Sequence, residues 1–249
     1  MMRRTVTRLL APTATALGLL AAAALPLAAQ ADAAATTSHR AGSGAKLKAD
    51  YHFDGNLKSS VSGAPRLRNV GIGNVFHRDR VPGEGRTKVL KFPNGSGLKV
   101  HTKGLIPSSH YSVVMQFRLA TAGTDEYARI LNPTLPADDN DNGLYLYNNY
   151  LDLYDVTGFE GTEGTVTPEK YVEVAFTRNT DGKIRVYANG EPDIKHADAD
   201  SQAVIQNHLL RFFVDNSNDE TSKGAVSRIR LYNDALTAKK VKRIYKQGH

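Results

Sequence analysis

Hydrophobic and polar side chains alternate along most of this chain, and the alternation is sharpest at Gly143 to Asp155, GLYLYNNYLDLYD. Successive residues of a strand point to opposite faces, so a hairpin that turns at Asn148-Asn149 places every leucine of the segment on one face. Two asparagines suit the positive φ angles of a two-residue turn. The other face then carries Tyr145, Tyr147, Tyr150, Asp152 and Tyr154.

We expect this hairpin to bury its leucines inside a sandwich and to leave its tyrosines exposed to water. Phenol rings beside a carboxylate can stack on sugar rings and bond sugar hydroxyls. The pattern also allows the rings to pack against neighbouring strands as a second layer of core. The candidate glycan-binding residues are Tyr145, Tyr147, Tyr150 and Asp152.

Period-two alternation recurs through the rest of the chain, which predicts an all-β protein. Asp181-Gly182 and Asn189-Gly190 are typical hairpin turns. The clearest further strands are predicted around Tyr111 to Leu119, Val172 to Phe176, Ile184 to Ala188, Leu210 to Val214 and Ala225 to Leu231.

Helical periodicity occurs only near the end of the chain, where we predict a short helix that is capped by Thr237. Its apolar stripe consists of Val241, Ile244 and Tyr245. The same helix concentrates the basic residues Lys239, Lys240, Lys242, Arg243 and Lys246. These charges form either a surface for a protein partner or simply a solvated helix face.

The first 31 residues have the three-part layout of a secretory signal peptide, so we predict a secreted protein. Three arginines precede an Ala/Leu-rich run, and Ala29-Gln30-Ala31 is a small-x-small cleavage site. Pro12 and the threonines disfavour an uncleaved anchor, so no stable membrane insertion is expected after cleavage. The Arg3-Arg4 pair leaves twin-arginine export open beside general secretion. Residues 32–46 are predicted to be a flexible leader, and residues 47–249 one domain.

Composition excludes several functional classes. The chain has no cysteine, which removes disulfides, lipoprotein anchoring, thiol catalysis and thiolate metal sites. It has no tryptophan, which weighs against a typical sugar cleft, although tyrosine can substitute. The formal charge of +7 includes three signal-peptide arginines, so the mature domain is only mildly basic. No nucleic-acid partner is expected from that charge and the absence of a recognised motif.

The order and spacing of several segments resemble the laminin G-like, concanavalin A-like jelly-roll domains of exported bacterial proteins. The segments include VLKFPNGSGLKV at Val89 to Val100, VEVAFTRNTDGKIRVYANG at Val172 to Gly190, and LRFFVDNSNDETSKGAVSRIRLYNDAL at Leu210 to Leu236. The resemblance implies two antiparallel sheets packed face to face, a short C-terminal helix and often a calcium ion at the rim. It does not select a function, because this fold hosts lectins, adhesion modules and hydrolases.

Two oxygen-rich loops are candidate calcium sites. The run from Asp138 to Gly143 matches the first half of an EF-hand loop, but its twelfth position is Asn149 instead of glutamate. Within the resemblance, the residues that follow the Phe-Phe pair correspond to ion ligands. The candidate ligands are Asp138 and Asp141 in the first loop, and Asp215 and Asn216 in the second. Solvated polar turns are the alternative interpretation of both loops.

Catalytic motifs are missing from the sequence. The paired-carboxylate pattern E-x-D-x-x-E of jelly-roll glucanases is absent, and the existing glutamate pairs fall in turns or at a strand start. The favoured function is therefore a secreted, non-catalytic module that binds a polysaccharide or cell-surface glycan. An extracellular glycosidase or polysaccharide lyase, and an adhesion module that uses the basic helix, remain the alternatives.

Overall fold

The structure, a computed structural model, describes residues 44–120, 127–134, 142–153, 161–215 and 220–249. All of these residues belong to one unit of the chain, Arg40–His249. The predicted signal peptide, and the leader as far as residue 43, lie outside the described residues. Within the described part of the chain, no helix has both the length and the apolar character needed to cross a membrane.

Eight strands of the described residues form the first sheet, and every pairing in it is antiparallel. In spatial order they are β12 (Glu191–Ala197), β11 (Lys183–Ala188), β10 (Val172–Arg178), β6 (Tyr111–Leu119), β14 (Gly224–Tyr232), β4 (Gly85–Phe92) and β3 (Val75–Val81). The eighth strand, β1 (Leu47–Tyr51), pairs with the later half of β14, while β4 pairs with its first residues.

Six strands form the second sheet, again with antiparallel pairing throughout the described residues. Their spatial order is β2 (Arg68–Val70), β5 (Gly97–His101), β13 (Leu209–Phe212), β7 (Tyr127–Asn132), β8 (Leu144–Tyr147) and β9 (Tyr150–Leu153). Strands that follow each other in sequence often lie in different sheets. The predicted fold, an all-β antiparallel jelly-roll sandwich with one short C-terminal helix, is confirmed.

The core lies between the inner faces of the two sheets. The Phe213 ring stacks on Phe92 with 4.7 Å between ring centroids and lies 5.2 Å from Phe117. Phe213 follows β13 directly and has a φ of 60°, an uncommon conformation that turns the chain so that Phe212 and Phe213 are both buried. Burial of each large apolar side chain contributes about 1.5–3 kcal/mol, which offsets this local strain.

The C-terminal helix α1 (Ala238–Gly248) begins where the sequence predicts. The Thr237 hydroxyl accepts a hydrogen bond from the backbone N–H of Lys240, as an N-cap does. Val241 and Ile244 are buried in a cluster with residues of the first sheet, including Val114. The helix therefore covers part of the outer face of that sheet.

Two of the five basic residues of α1 have partners inside the domain. Lys240 Nζ donates to the carbonyl of Ala45, and Lys242 pairs with Glu191. Ala45 is itself buried, so the end of the predicted leader packs against the helix. The other three, Lys239, Arg243 and Lys246, are exposed. Fewer basic side chains of α1 are therefore available to a protein partner than the sequence predicts.

A partly buried ion pair joins β1 to β14. Arg228 donates two hydrogen bonds to Asp50, Nε to Oδ1 at 2.9 Å and Nη2 to Oδ2 at 2.7 Å. Burial alone would raise the pKa of Asp50, but the hydrogen bonds from Arg228 and His52 outweigh burial and hold that pKa well below its usual range. The charged carboxylate therefore stabilises the fold.

The Asp50 pair predicts how stability changes in acid. The unfolded carboxyl has a pKa of about 3.9, so the contribution of Asp50 is complete above that pH and is lost as the pH falls toward the lower folded value. We expect Asp50→Asn to lower the free energy of unfolding by about 1.5–3 kcal/mol at pH 7 and to flatten its decline in acid. Urea unfolding between pH 2 and pH 7 measures both effects.

Asp200→Asn is the matched control, because Asp200 is exposed. Its expected effect is within about 0.5 kcal/mol. Equal pH slopes for the Asp50 variant and the wild type would contradict the assignment.

Candidate functional site

The hairpin β8–β9 has the register that its sequence predicts. Leu144 pairs with Leu153, Tyr145 with Asp152, Leu146 with Leu151 and Tyr147 with Tyr150. Asn148 and Asn149 form the turn with φ angles of 43° and 71°. All of its leucines are buried in the core. The polar residues therefore lie on the outer face of the second sheet.

A row of three tyrosines crosses this outer face near the turn of the hairpin. Tyr127 on β7 pairs with Tyr147, which pairs with Tyr150. The rings of Tyr127 and Tyr147 stack with 4.4 Å between centroids and 21° between planes, and Tyr150 meets Tyr147 edge-on at 5.6 Å. All three side chains are half-buried. We call these three residues the tyrosine row.

A second row, two residues further along the strands, is buried. It consists of Arg129, Tyr145 and Asp152, which the register places side by side on β7, β8 and β9. The Arg129 guanidinium lies over the Tyr145 ring, 4.4 Å from its centroid, and the Tyr127 ring meets Tyr145 edge-on at 5.7 Å. Tyr145 is 0% exposed and Asp152 is 1% exposed.

The prediction of a fully exposed tyrosine face is therefore wrong for Tyr145 and Asp152. The physical reason is the neighbouring strand, since β7 brings a guanidinium and another phenol ring onto Tyr145. Tyr147 and Tyr150 keep part of their surface exposed because they lie next to the turn. The accessible aromatic surface is Tyr127, Tyr147 and Tyr150.

Arg129 connects three separate parts of the chain beneath this face. Its Nη2 lies 2.8 Å from Asp215 Oδ1 and 3.3 Å from Glu220 Oε2, and its Nη1 donates to the carbonyl of Asn142 at 2.7 Å. Its backbone N–H also donates to the carbonyl of Glu220. A buried guanidinium needs such partners, because its desolvation is costly.

Of the four predicted calcium ligands, only Asp215 lies within the described residues. Its Oδ1 faces Arg129, so a calcium ion bound at that atom would lie beside a guanidinium and be repelled. Asp138, Asp141 and Asn216 lie outside the described residues, and calcium binding there stays a prediction. Among the residues that the structure does describe, no group of three or more His, Asp or Glu could hold a metal ion.

Arg211 completes the charge cluster around Asp215. Its Nη2 donates to the backbone carbonyl of Asp215 at 2.8 Å. Burial lowers the pKa of Arg211, the Asp215 carboxylate opposes that effect, and the nearby charge of Arg129 adds to it. Asp215 thus serves as the shared counterion of two arginines.

Sequence reasoning missed Tyr127 and Arg129 as parts of this face. Their alternation with Ala128 and Ile130 was the available signal, since it places the two polar side chains on one side of β7. A register irregularity between Arg129 and Leu131 shifts the pairing of β7 with β8. No local sequence feature indicates that shift.

Comparison with known proteins identifies the family. Residues 92–242, more than half of the chain, match a laminin G model described as the concanavalin A-like lectin/glucanases superfamily. The chain belongs to this family. No match was found among curated proteins.

Solved structures show the same fold at low sequence identity. Domain 4 of AbnA, a GH43 extracellular arabinanase from Geobacillus stearothermophilus solved in complex with arabinotriose, is 19% identical with a TM-score of 0.59, covering 81% of this chain and 98% of that one. The binding domain of Paraclostridial Mosquitocidal Protein 1 is 13% identical with a TM-score of 0.60, covering 80% of this chain and 52% of that one. The receptor binding domain of botulinum neurotoxin type G is 16% identical with a TM-score of 0.57, covering 81% and 51%. The chain thus spans about half the length of these two toxin domains.

Removal of Arg129 should destabilise the whole domain. We expect Arg129→Met to lower the free energy of unfolding by about 3–5 kcal/mol, because it removes the guanidinium that lies 2.8 Å from the buried Asp215 carboxylate. The control is Lys242→Met, which removes a cation from an exposed pair with Glu191 and should cost at most about 1 kcal/mol. Urea denaturation measures both. Equal losses in the two variants would show that Arg129 has no special structural role.

Proposed function

We propose that this protein is an exported, non-catalytic carbohydrate-binding module whose glycan contacts the tyrosine row. The observation that carries the proposal is the alignment of Tyr127, Tyr147 and Tyr150 across three adjacent strands with part of each side chain exposed. Aromatic side chains supply a large contact area, and their hydroxyls donate and accept hydrogen bonds. Sugars offer complementary C–H faces and hydroxyls.

The packing beneath the row prepares it for binding. Tyr127 stacks on Tyr147 and meets Tyr145 edge-on, while Tyr145 lies under the Arg129 guanidinium. Because these contacts already fix the rings, a bound glycan would order little additional structure. Three rings presented in a row suit an extended chain of sugars better than a small enclosed ligand.

Two comparisons support this class of function. The family includes lectins and glucanases by its description, and the arabinanase domain was solved with arabinotriose bound. The N-terminal pattern of three arginines, an apolar run and a small-x-small site supports export. The arabinanase is also described as extracellular.

A binding experiment tests the proposal directly. Purified protein is titrated calorimetrically with arabinotriose and then with a panel of uncharged oligosaccharides, and chromogenic glycans are included to detect turnover. We expect saturable binding without turnover. Tyr147→Ala combined with Tyr150→Ala should weaken that binding at least about tenfold, since loss of 1.4 kcal/mol of contact corresponds to a factor of ten.

Two further variants make the result specific. Tyr245→Ala removes a half-buried tyrosine from α1 and should leave affinity unchanged. Tyr147→Phe keeps the ring and removes the hydroxyl, which separates stacking from hydrogen bonding. Unaltered affinity in a folded Tyr147/Tyr150 variant would overturn the tyrosine row as the binding surface, and sustained product release would favour a glycosidase.

A further inference from the structure

A groove lies at the opposite edge of the second sheet from the hairpin. It has a volume of about 680 Å³ and is formed by β2, the residues just before β2, and β5. Its basic lining consists of Arg66, Arg68, Lys99 and His101, and no carboxylate among the described residues lines it. We call the groove that these four residues line the basic groove.

The register of the strands extends this positive charge into a row. Arg68 pairs with Lys99, and Lys99 pairs with Arg211, so the three side chains lie on one face of β2, β5 and β13. Adjacent strands are about 4.8 Å apart, so the three cations lie next to one another across the sheet. Like charges directly opposite each other destabilise a sheet. Repulsion within such a row is relieved when anionic groups lie nearby.

Several arginines of the described domain are buried or partly buried and pair with carboxylates, whereas the cations of the groove do not. Five arginines pair with carboxylates at 2.9 Å or less: Arg118 with Asp79, Arg129 with Asp215, Arg178 with Asp198, Arg228 with Asp50 and Arg230 with Glu173. Within the same residues, Arg66, Arg68 and Lys99 form no ion pair with a carboxylate.

Protection of a sheet edge explains only part of this charge. Charged side chains on an edge strand prevent pairing with other chains, and Arg68 lies on the edge strand β2. Lys99 lies on β5, the second strand, whose backbone is already paired on both sides. Edge protection therefore does not account for Lys99 or for the continuation of the row to Arg211.

We propose that the basic groove binds the acidic groups of a polysaccharide that carries carboxylates or sulfates. Arginine recognises both oxyanions with paired hydrogen bonds, and lysine adds a point charge. No aromatic side chain of the described residues lines the groove, whereas single-stranded nucleic-acid sites alternate cations with rings that stack on bases. An anionic glycan fits this lining better than a nucleic acid does.

The position of the groove links it to the tyrosine row. Both lie on the outer face of the second sheet, and three strand steps, about 14 Å, separate β2 from β7. One extended glycan can therefore contact rings and cations together. The choice of a polysaccharide rests on the proposed function, while the choice of an anionic ligand rests on the groove alone.

The test uses two matched double variants, each of which removes two positive charges. Arg68→Gln with Lys99→Gln alters the groove. Arg86→Gln with Lys88→Gln alters exposed residues of β4 in the other sheet. The probes are polygalacturonate, dextran sulfate and uncharged dextran, and affinity is measured by calorimetry at two salt concentrations.

We expect the groove variant to bind polygalacturonate, dextran sulfate or both at least about tenfold more weakly, and the β4 variant to bind as the wild type does. Salt should weaken wild-type binding more than binding by the groove variant, because screening acts on the charges that were removed. Which polymer binds distinguishes a carboxylate from a sulfate ligand. If the groove variant does not fold, Arg66→Gln, outside any strand, replaces it.

Several outcomes would overturn the proposal. Equal losses in the two double variants would show a general effect of charge, and equal wild-type affinity for uncharged dextran would remove the role of the anion. Tighter groove-dependent binding of a single-stranded oligonucleotide or of anionic lipid vesicles would assign the groove to another partner. Anionic binding that survives Tyr147→Ala with Tyr150→Ala would support the groove while contradicting the tyrosine row.

Discussion

Packing of the core determines which side chains lie on the outer faces of the two sheets. Every strand of the sandwich must turn its apolar residues inward, and the period of two then sends each intervening residue outward. Strand register aligns those outward residues into rows that cross the sheet. The tyrosine row, the buried row beside it and the row of cations formed by Arg68, Lys99 and Arg211 are three such rows on one sheet. A shift of one residue in any strand would exchange its core residues with its surface residues.

Arg129 shows that one outward position can be as well packed as the core. Its guanidinium covers Tyr145, pairs with Asp215 and binds the carbonyl of Asn142. These contacts join β7, β8 and the segment after β13 beneath the tyrosine row. The side chain is therefore structural, although it lies on the face that we propose to bind glycan. Its packing also explains why Tyr145 supports the proposed binding surface without being part of it.

The sequence predicts what depends on neighbouring residues and misses what depends on pairing between distant strands. The predicted register of the β8–β9 hairpin is correct in every pair, because its asparagine turn sets the register locally. The burial of Tyr145 is one of two interpretations that the pattern allows, and only its pairing with the distant strand β7 decides between them. The sequence predicts Asp215 as a calcium ligand but not its contact with Arg129, because that arginine comes from a distant part of the chain.

The row of cations on β2, β5 and β13 is a second contact between distant strands that the sequence does not predict. It also separates a charged part from an aromatic part on the outer face of the second sheet. Arg68, Lys99 and Arg211 come from three strands that are not consecutive in the chain, so no local motif brings them together. Of these three cations, only Arg211 is described beside Asp215, which lies three residues after the end of β13. On the outer face of the second sheet, the described cations without a carboxylate partner thus lie on β2 and β5, while the aromatic surface lies on β7, β8 and β9. A ligand that uses both must combine sugar rings with acidic groups, which is the chemistry of an acidic polysaccharide.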